Sequence, residues 1–198
     1  MRSVNTEHPP QNTESRKNAG QAEYVLGMYA LVFILVITMA SLQIMQYKAD
    51  SDIAEDALAA SCLAALDVDP YRYGADHRLI INDPAHAREK FETALKGNME
   101  LDDDLAPLRP EAAYISGRVE IKDFRIYMVE GDRVLECIVT PAGIIENRGT
   151  YGSVKTPSGA VVGSAGAYAE ITFDTEGFLG VHIRADKNAY AEMIGNPD

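Results

Sequence analysis

The chain has 198 residues, with 18 basic and 30 acidic side chains and a formal net charge of -12, which is room for one ordinary domain beside a membrane segment. The charge is uneven: residues 1–48 hold four basic and three acidic side chains, leaving fourteen against twenty-seven for residues 49–198. A domain that acidic repels phosphate backbones and anionic headgroups, which argues against nucleic acid and charged membrane surfaces as partners.

Residues 1–20, MRSVNTEHPPQNTESRKNAG, have no apolar periodicity and contain Pro9 and Pro10; they read as a disordered cytoplasmic leader. Between Glu23 and Lys48 lie 24 residues without a charge. As a helix they rise about 36 Å, against a bilayer hydrocarbon core of about 30 Å, so 21–48 is expected to be a single membrane-spanning helix. A secretory signal has an apolar core of only about 7–15 residues. Thr38 and Ala40 before Ser41 offer a passable cleavage site, but Leu42, Ile44 and Met45 prolong the apolar run beyond it, which favours an anchor over a released product. Arg16 and Lys17 precede the run, whereas only Lys48 follows it before Asp50, Asp52, Glu55 and Asp56. The balance of basic residues favours a cytoplasmic N-terminus and an extracytoplasmic C-terminal domain.

From Gln21 to Asp69 there is no proline and Gly27 is the only glycine, so the helix is expected to continue past the membrane over 49–69. Ile53, Ala57, Ala60 and Ala64 fall at helical spacing, with Ala54, Leu58, Cys62 and Ala65 beside them, giving one apolar stripe on an amphipathic outer half. Pro70 biases Asp69 away from helical geometry and should end it.

Residues 70–198 read as an extracytoplasmic α+β domain. In NDPAHAREKFETALKG, Asp83 suits an N-cap, Pro84 the first helical position and Gly97 the stop. Ala87, Phe91, Leu95 and Met99 make the buried face, with Arg88, Glu92 and Lys96 on the wet one. From Tyr114 the period changes to two. Two strands are expected to join at Gly131-Asp132. Their alternation passes from Val119 and Ile121 to Phe124, Ile126 and Met128 near Asp123, which means a bulge or a strand buried on both faces. Turns at Pro157-Ser158-Gly159 and Thr175-Glu176-Gly177 flank the strands AYAEITF and LGVHIRA. The fold class is therefore α+β: a long N-terminal helix, a short second helix and a small antiparallel sheet of four to six strands.

The layout of polar leader, Gly20-Gln21-Ala22-Glu23-Tyr24 junction, membrane helix with an Ala-rich outer half and small α+β ectodomain resembles the TadE-like minor pilins (pseudopilins) of tight-adherence (Tad, or Flp) pili. The resemblance covers the chain in layout, and its specific part is the five-residue junction. It implies a subunit of a surface pilus or related secretion apparatus, embedded in the lipid bilayer. Its implied partners are other pilin-like subunits, membrane platform proteins and a prepilin peptidase that cuts after a glycine on the cytoplasmic side. It further implies that a glutamate five residues into the mature chain helps assembly. A carboxylate there can pair with the amino terminus of an adjacent subunit, an otherwise unpaired charge in hydrocarbon. In this chain a cut after Gly20 makes Glu23 third. The other reading of Glu23 is a polar residue marking the membrane boundary, stabilised near a helix N-terminus by the dipole. The contrasting functional class is a stationary single-pass membrane protein whose acidic ectodomain binds a partner without polymerising.

Two cysteines and four histidines complete the reactive inventory. Cys62 lies on the outer helix and Cys137 on a strand; outside the cell they either form a disulfide joining helix to sheet or remain two buried thiols. His8, His77, His86 and His182 have no metal-ligand spacing. Gly159, Gly163 and Gly166 suit turns better than a phosphate loop, and Ser164 lacks the surroundings of a hydrolase nucleophile. Glu100 to Leu105, ELDDDL, lacks the calcium-loop pattern and reads as a solvated acidic turn. No catalytic, cofactor or metal constellation is expected, so the chain is not read as an enzyme.

Overall fold

In the computed structural model, the described residues are 13–66, 81, 83–110, 114–176 and 182–193, with side chains from Glu23 onward, Glu176 excepted. The chain divides into two units, Met1–Met45 and Gln46–Asp198.

Helix α1, Thr13–Ala65, runs through both. Its backbone is helical before Gln21, so part of the expected leader belongs to the helix; residues 1–12 lie outside the described set. In the first unit every described side chain from Glu23 to Met45 is exposed except Ala40, which is half-buried. The Thr38 hydroxyl donates a hydrogen bond to the Ile34 carbonyl at 2.8 Å, which satisfies the one threonine hydroxyl in the middle of the apolar run. The helix ends at Ala65, where the Leu66 amide bonds the Leu63 carbonyl at 3.1 Å in a tightened last turn. The expected stop at Asp69-Pro70 lies outside the described residues.

In the second unit, α2 spans Pro84–Asn98 and the strands are β1 Ser116–Glu130, β2 Arg133–Thr140, β3 Gly143–Thr150, β4 Gly166–Glu176 and β5 His182–Glu192. They form one antiparallel five-stranded sheet in the order β3-β2-β1-β4-β5. This is the expected α+β architecture, with β3 as a strand that no hydrophobic pattern marks.

Local chemistry accounts for the elements. The Asp83 carboxylate accepts from the amides of Ala85 and His86 at 2.9 and 3.2 Å, and Pro84 opens α2, meeting the orphan donors of the first turn. Gly97 does not stop this helix. The chain continues to Asn98 and turns where Glu100 takes a φ of 52°. Gly131, with a φ of 59°, makes the two-residue hairpin between β1 and β2, a geometry that L-residues resist.

The register of β1 against β4 shifts between Ile121 and Asp123. The extra residue at Lys122 moves the inward parity from Val119 and Ile121 to Phe124, Ile126 and Met128. Both expectations for this segment hold together, because Tyr127 is buried on the opposite face.

The main core lies between the sheet and the two helices. Ala54, Leu58, Cys62 and Ala65 of α1 join Ala87, Phe91 and Leu95 of α2 over Phe124, Ile126, Cys137, Ala167, Ala169, Ile171 and Ala189. Small residues on α1, β4 and β5 allow close approach. Phe91 and Phe124 fix α2 on β1, with ring centroids 4.8 Å apart. The apolar stripe expected on the outer helix is rotated. Ala54, Ala57, Leu58, Cys62 and Ala65 are buried, as is Ser61, while Ile53, Ala60 and Ala64 face outward with Leu63. A second, smaller core of Tyr127, Val134, Val162 and Tyr168 covers the other face of the sheet.

Candidate functional site

The sequence-predicted junction sits inside a helix. Gly20 and Gln21 belong to the α1 backbone but their side chains, with that of Ala22, lie outside the described residues; Glu23 and Tyr24 are exposed. The helix begins at Thr13, so Glu23 lies more than two turns inside it. The macrodipole acts over about the first turn, so dipole stabilisation of Glu23 at a helix start does not apply. Beyond Glu23 the segment Tyr24 to Tyr47 presents apolar side chains on all sides, among them Leu31, Phe33, Ile37 and Met45. One helix is thus long and apolar enough to cross a membrane.

Both cysteines are buried, and both are free thiols. Cys62 approaches the Ala189 carbonyl of β5 with its sulfur at 3.8 Å, whereas Cys137 is on β2. Three strand steps separate β2 from β5, on the order of 14 Å at ~4.8 Å each. A disulfide needs its Cα atoms within about 7 Å. Burial pushes the Cys62 thiol up to about 12 and the Cys137 thiol up to about 11, the latter assisted by Glu146 and Glu136. Thiols held that far from ionisation are packing groups and poor nucleophiles.

The outer half of α1 is tied to its own domain by polar contacts at both flanks of the buried stripe. Lys187 of β5 pairs with Glu55 at 3.2 Å, and the Asn98 side chain of α2 donates to Ser61 Oγ at 3.1 Å. The opposite side of the helix presents Ile53, Ala60, Leu63 and Ala64 to the surroundings, with Ile53 and Leu63 at least half exposed.

A polar network that the sequence does not announce lies on the second face of the sheet. The Arg125 guanidinium bonds Asp123 at 2.6 and 2.7 Å and Glu136 at 3.0 Å. Glu136 also accepts from the Tyr127 hydroxyl at 3.1 Å and the Asn147 amide at 2.9 Å. Burial opposes the charge on both groups, but the hydrogen bonds outweigh it: Arg125 is raised above its ordinary value and Glu136 is held below its own. Every partner alternates on one face of β1, β2 or β3, so the only available signal was period-two register across three strands. The chemistry of the cluster is structural, since its charges are consumed internally.

An open groove of about 560 Å³ lies beside α2 and β1, lined in part by Arg88, Lys96, Asp103, Arg118 and Glu120. Arg88 pairs with Glu92 at 2.8 Å and donates to the Val139 carbonyl at 2.5 Å, and Lys96 meets Asp103 at 3.1 Å. The cations and anions of the groove therefore largely satisfy one another.

His86 at the start of α2 faces Glu89, and His182 at the start of β5 is within 3.2 Å of the Ser116 hydroxyl; both are exposed. His8 and His77 lie outside the described residues. The acidic run folds on itself: Asp102 Oδ1 accepts from the amides of Asp104 and Ala106, both at 2.9 Å, so one of its three aspartates serves the turn. Gly159 adopts a φ of 91° in the turn closed by the Lys155–Val161 bridge. Gly166 admits Tyr190 so closely that a Cβ would stand 2.7 Å from its ring. Among the described residues, no group of three His, Cys, Asp or Glu is placed to hold a metal ion. Comparison with protein-family models, with curated proteins and with solved structures finds no match to this chain.

Proposed function

We propose that this chain is a membrane-anchored, pilin-like (pseudopilin) subunit that takes part in assembling a surface pilus of the tight-adherence type or a related secretion apparatus. The observation that carries this reading is α1. One helix supplies an apolar segment exposed on all sides and then an outer half with its own domain on one face and Ile53, Ala60, Leu63 and Ala64 bare on another. Small residues on a bare helical face admit close packing of a neighbouring helix, in lipid or above it. In this reading the N-terminus is cytoplasmic and the α+β domain extracytoplasmic. Gly20 and Gln21 flank the bond cut by a prepilin peptidase, and Glu23 with Tyr24 enters the contact between subunits. The thiols and the network around Glu136 serve the stability of the domain, and no catalysis is assigned.

The position of Glu23, third after Gly20, favours the second reading: a stationary single-pass protein presenting an acidic domain to a partner. Two experiments separate them. The intact mass of the protein recovered from its native membrane should correspond to a chain beginning at Gln21; a chain beginning at Met1 or Arg2 sinks the prepilin assignment. Deleting the gene should remove or shorten surface pili, and pili of normal number and length in the deletion strain would count against a role in assembly.

A further inference from the structure

Strand β3 is an edge of the sheet, pairing with β2 alone among the described residues. Its two-residue connection to β2 closes on the pair Thr140 and Gly143, so hydrogen-bonded pairs recur at Gly143, Ile145, Asn147 and Gly149. The same parity continues past the strand, where the Tyr151 amide bonds the Asp132 carbonyl at 2.8 Å. Ile144, Glu146, Arg148 and Thr150 therefore turn their amides and carbonyls away from the sheet. The Thr150 carbonyl accepts from the Ser153 amide at 3.1 Å and from the Ser153 hydroxyl at 2.6 Å, so the free row among the described residues is that of Ile144, Glu146 and Arg148, a template for another strand.

The side chains of this edge are those of an unfinished interface. Ile144 and Ile145 are 42% and 54% exposed. The side chains of Glu146 and Arg148, two residues apart on one face, make no hydrogen bond or ion pair with any described residue. Two common protections of an edge are also missing: β3 contains neither proline nor lysine.

We propose that β3 pairs antiparallel with β3 of a second copy of this chain, about a two-fold axis at Asn147, joining two five-stranded sheets into one. Charge complementarity sets the register. With Asn147 opposite its own copy, Glu146 faces Arg148 of the second copy and Arg148 faces Glu146, giving two ion pairs, while Ile144 meets Thr150 and Ile145 meets Gly149. The adjacent registers of the same hydrogen-bond parity, centred on Glu146 or on Arg148, set like charges face to face and are disfavoured. The pairing is isologous and closes at two copies. It is carried by the second unit alone and does not depend on the pilin reading.

In this register Asn147 forms a non-hydrogen-bonded pair with its copy, with Cα atoms about 4.5 Å apart, close enough for a disulfide once both carry a thiol. The full-length chain carrying Asn147→Cys, oxidised mildly in its native membrane, should therefore run at twice the chain mass on a non-reducing gel. The unsubstituted chain should not, because Cys62 and Cys137 are buried. Nor should Leu108→Cys, at a position that is 61% exposed but off the strand. Adding Glu146→Arg to Asn147→Cys should lower the cross-linked fraction at limiting oxidant about tenfold, and Arg148→Glu on top of both should restore it. Circular dichroism of each variant establishes that the fold is kept. Cross-linking of the Asn147→Cys chain no greater than that of the Leu108→Cys chain overturns the proposal, as does a fraction indifferent to Glu146→Arg or not restored by the double reversal.

Discussion

At the scale of single residues, two polar groups shielded from solvent have opposite fates. The Tyr114 hydroxyl is buried and has no hydrogen-bond partner among the described residues, and burial together with the nearby charge of Asp50 pushes its ionisation up to about 12. An unmade hydrogen bond of this kind costs about 1 to 3 kcal/mol. Tyr114→Phe should therefore leave the second unit as stable or raise its stability by about 1 kcal/mol in urea unfolding. Glu136 is satisfied on every side by Arg125, Tyr127 and Asn147. Glu136→Gln should lower stability by about 1 to 2 kcal/mol at neutral pH. Because the folded-state value of Glu136 lies below its ordinary 4.5, its contribution is complete above that pH and is lost as pH falls through the folded value. Unfolding curves of wild type and Glu136→Gln should accordingly converge below pH 4.5; a gap that persists unchanged in acid would contradict the role of the charge.

At the scale of elements, the sheet depends on a close approach and a bulge. Gly166 opens β4 against Tyr190 of β5, where an added Cβ would meet the ring at 2.7 Å and the Ala191 carbonyl at 2.9 Å. The carbonyl belongs to the strand and cannot swing aside. Gly166→Ala should cost about 1 to 3 kcal/mol, read as a lower midpoint of thermal unfolding. The bulge at Lys122 does a different job. It changes the inward parity of β1, so Val119 near one end and Phe124 to Met128 further on reach the same core. The shift was legible because hydrophobic alternation slips by one place in the sequence itself, and a slip of one residue reverses the faces of a strand. Strand β3 was not legible. Its residues are exposed at every position but one, so no burial pattern marks it, and only backbone pairing to β2 makes it a strand.

At the scale of the whole molecule, the two units place opposite demands on solvent. Residues 24–47 carry no charge and expose their apolar side chains, whereas residues 49–198 carry twenty-seven acidic groups against fourteen basic ones. The first suits hydrocarbon and the second suits water. The compact unit Gln46–Asp198 contains both cores. A chain beginning at Gln46 should therefore stay in the supernatant after high-speed centrifugation and unfold in one cooperative transition, while the full chain sediments with membranes. Loss of cooperative unfolding on removing the first unit would mean that the α1 stripe needs more than its own sheet and α2 to be held.

The sequence by itself determined the type of every described element but β3: the charge-free run, the Asp83-Pro84 start of α2, the Gly131 hairpin and the period-two strands are local signals, set by backbone sterics, capping and periodicity. The tertiary structure alone decided which side of the outer helix is covered. Small and apolar positions occur all round it, so composition marks no single face, and packing against the sheet and α2 selects Ala54, Leu58, Cys62 and Ala65 while leaving Ile53, Ala60 and Ala64 outward. It also decided that Cys62 and Cys137 stand over different strands and that Arg125, Glu136 and Asn147 meet. Such meetings depend on strand order and register, which arise only when distant segments pair.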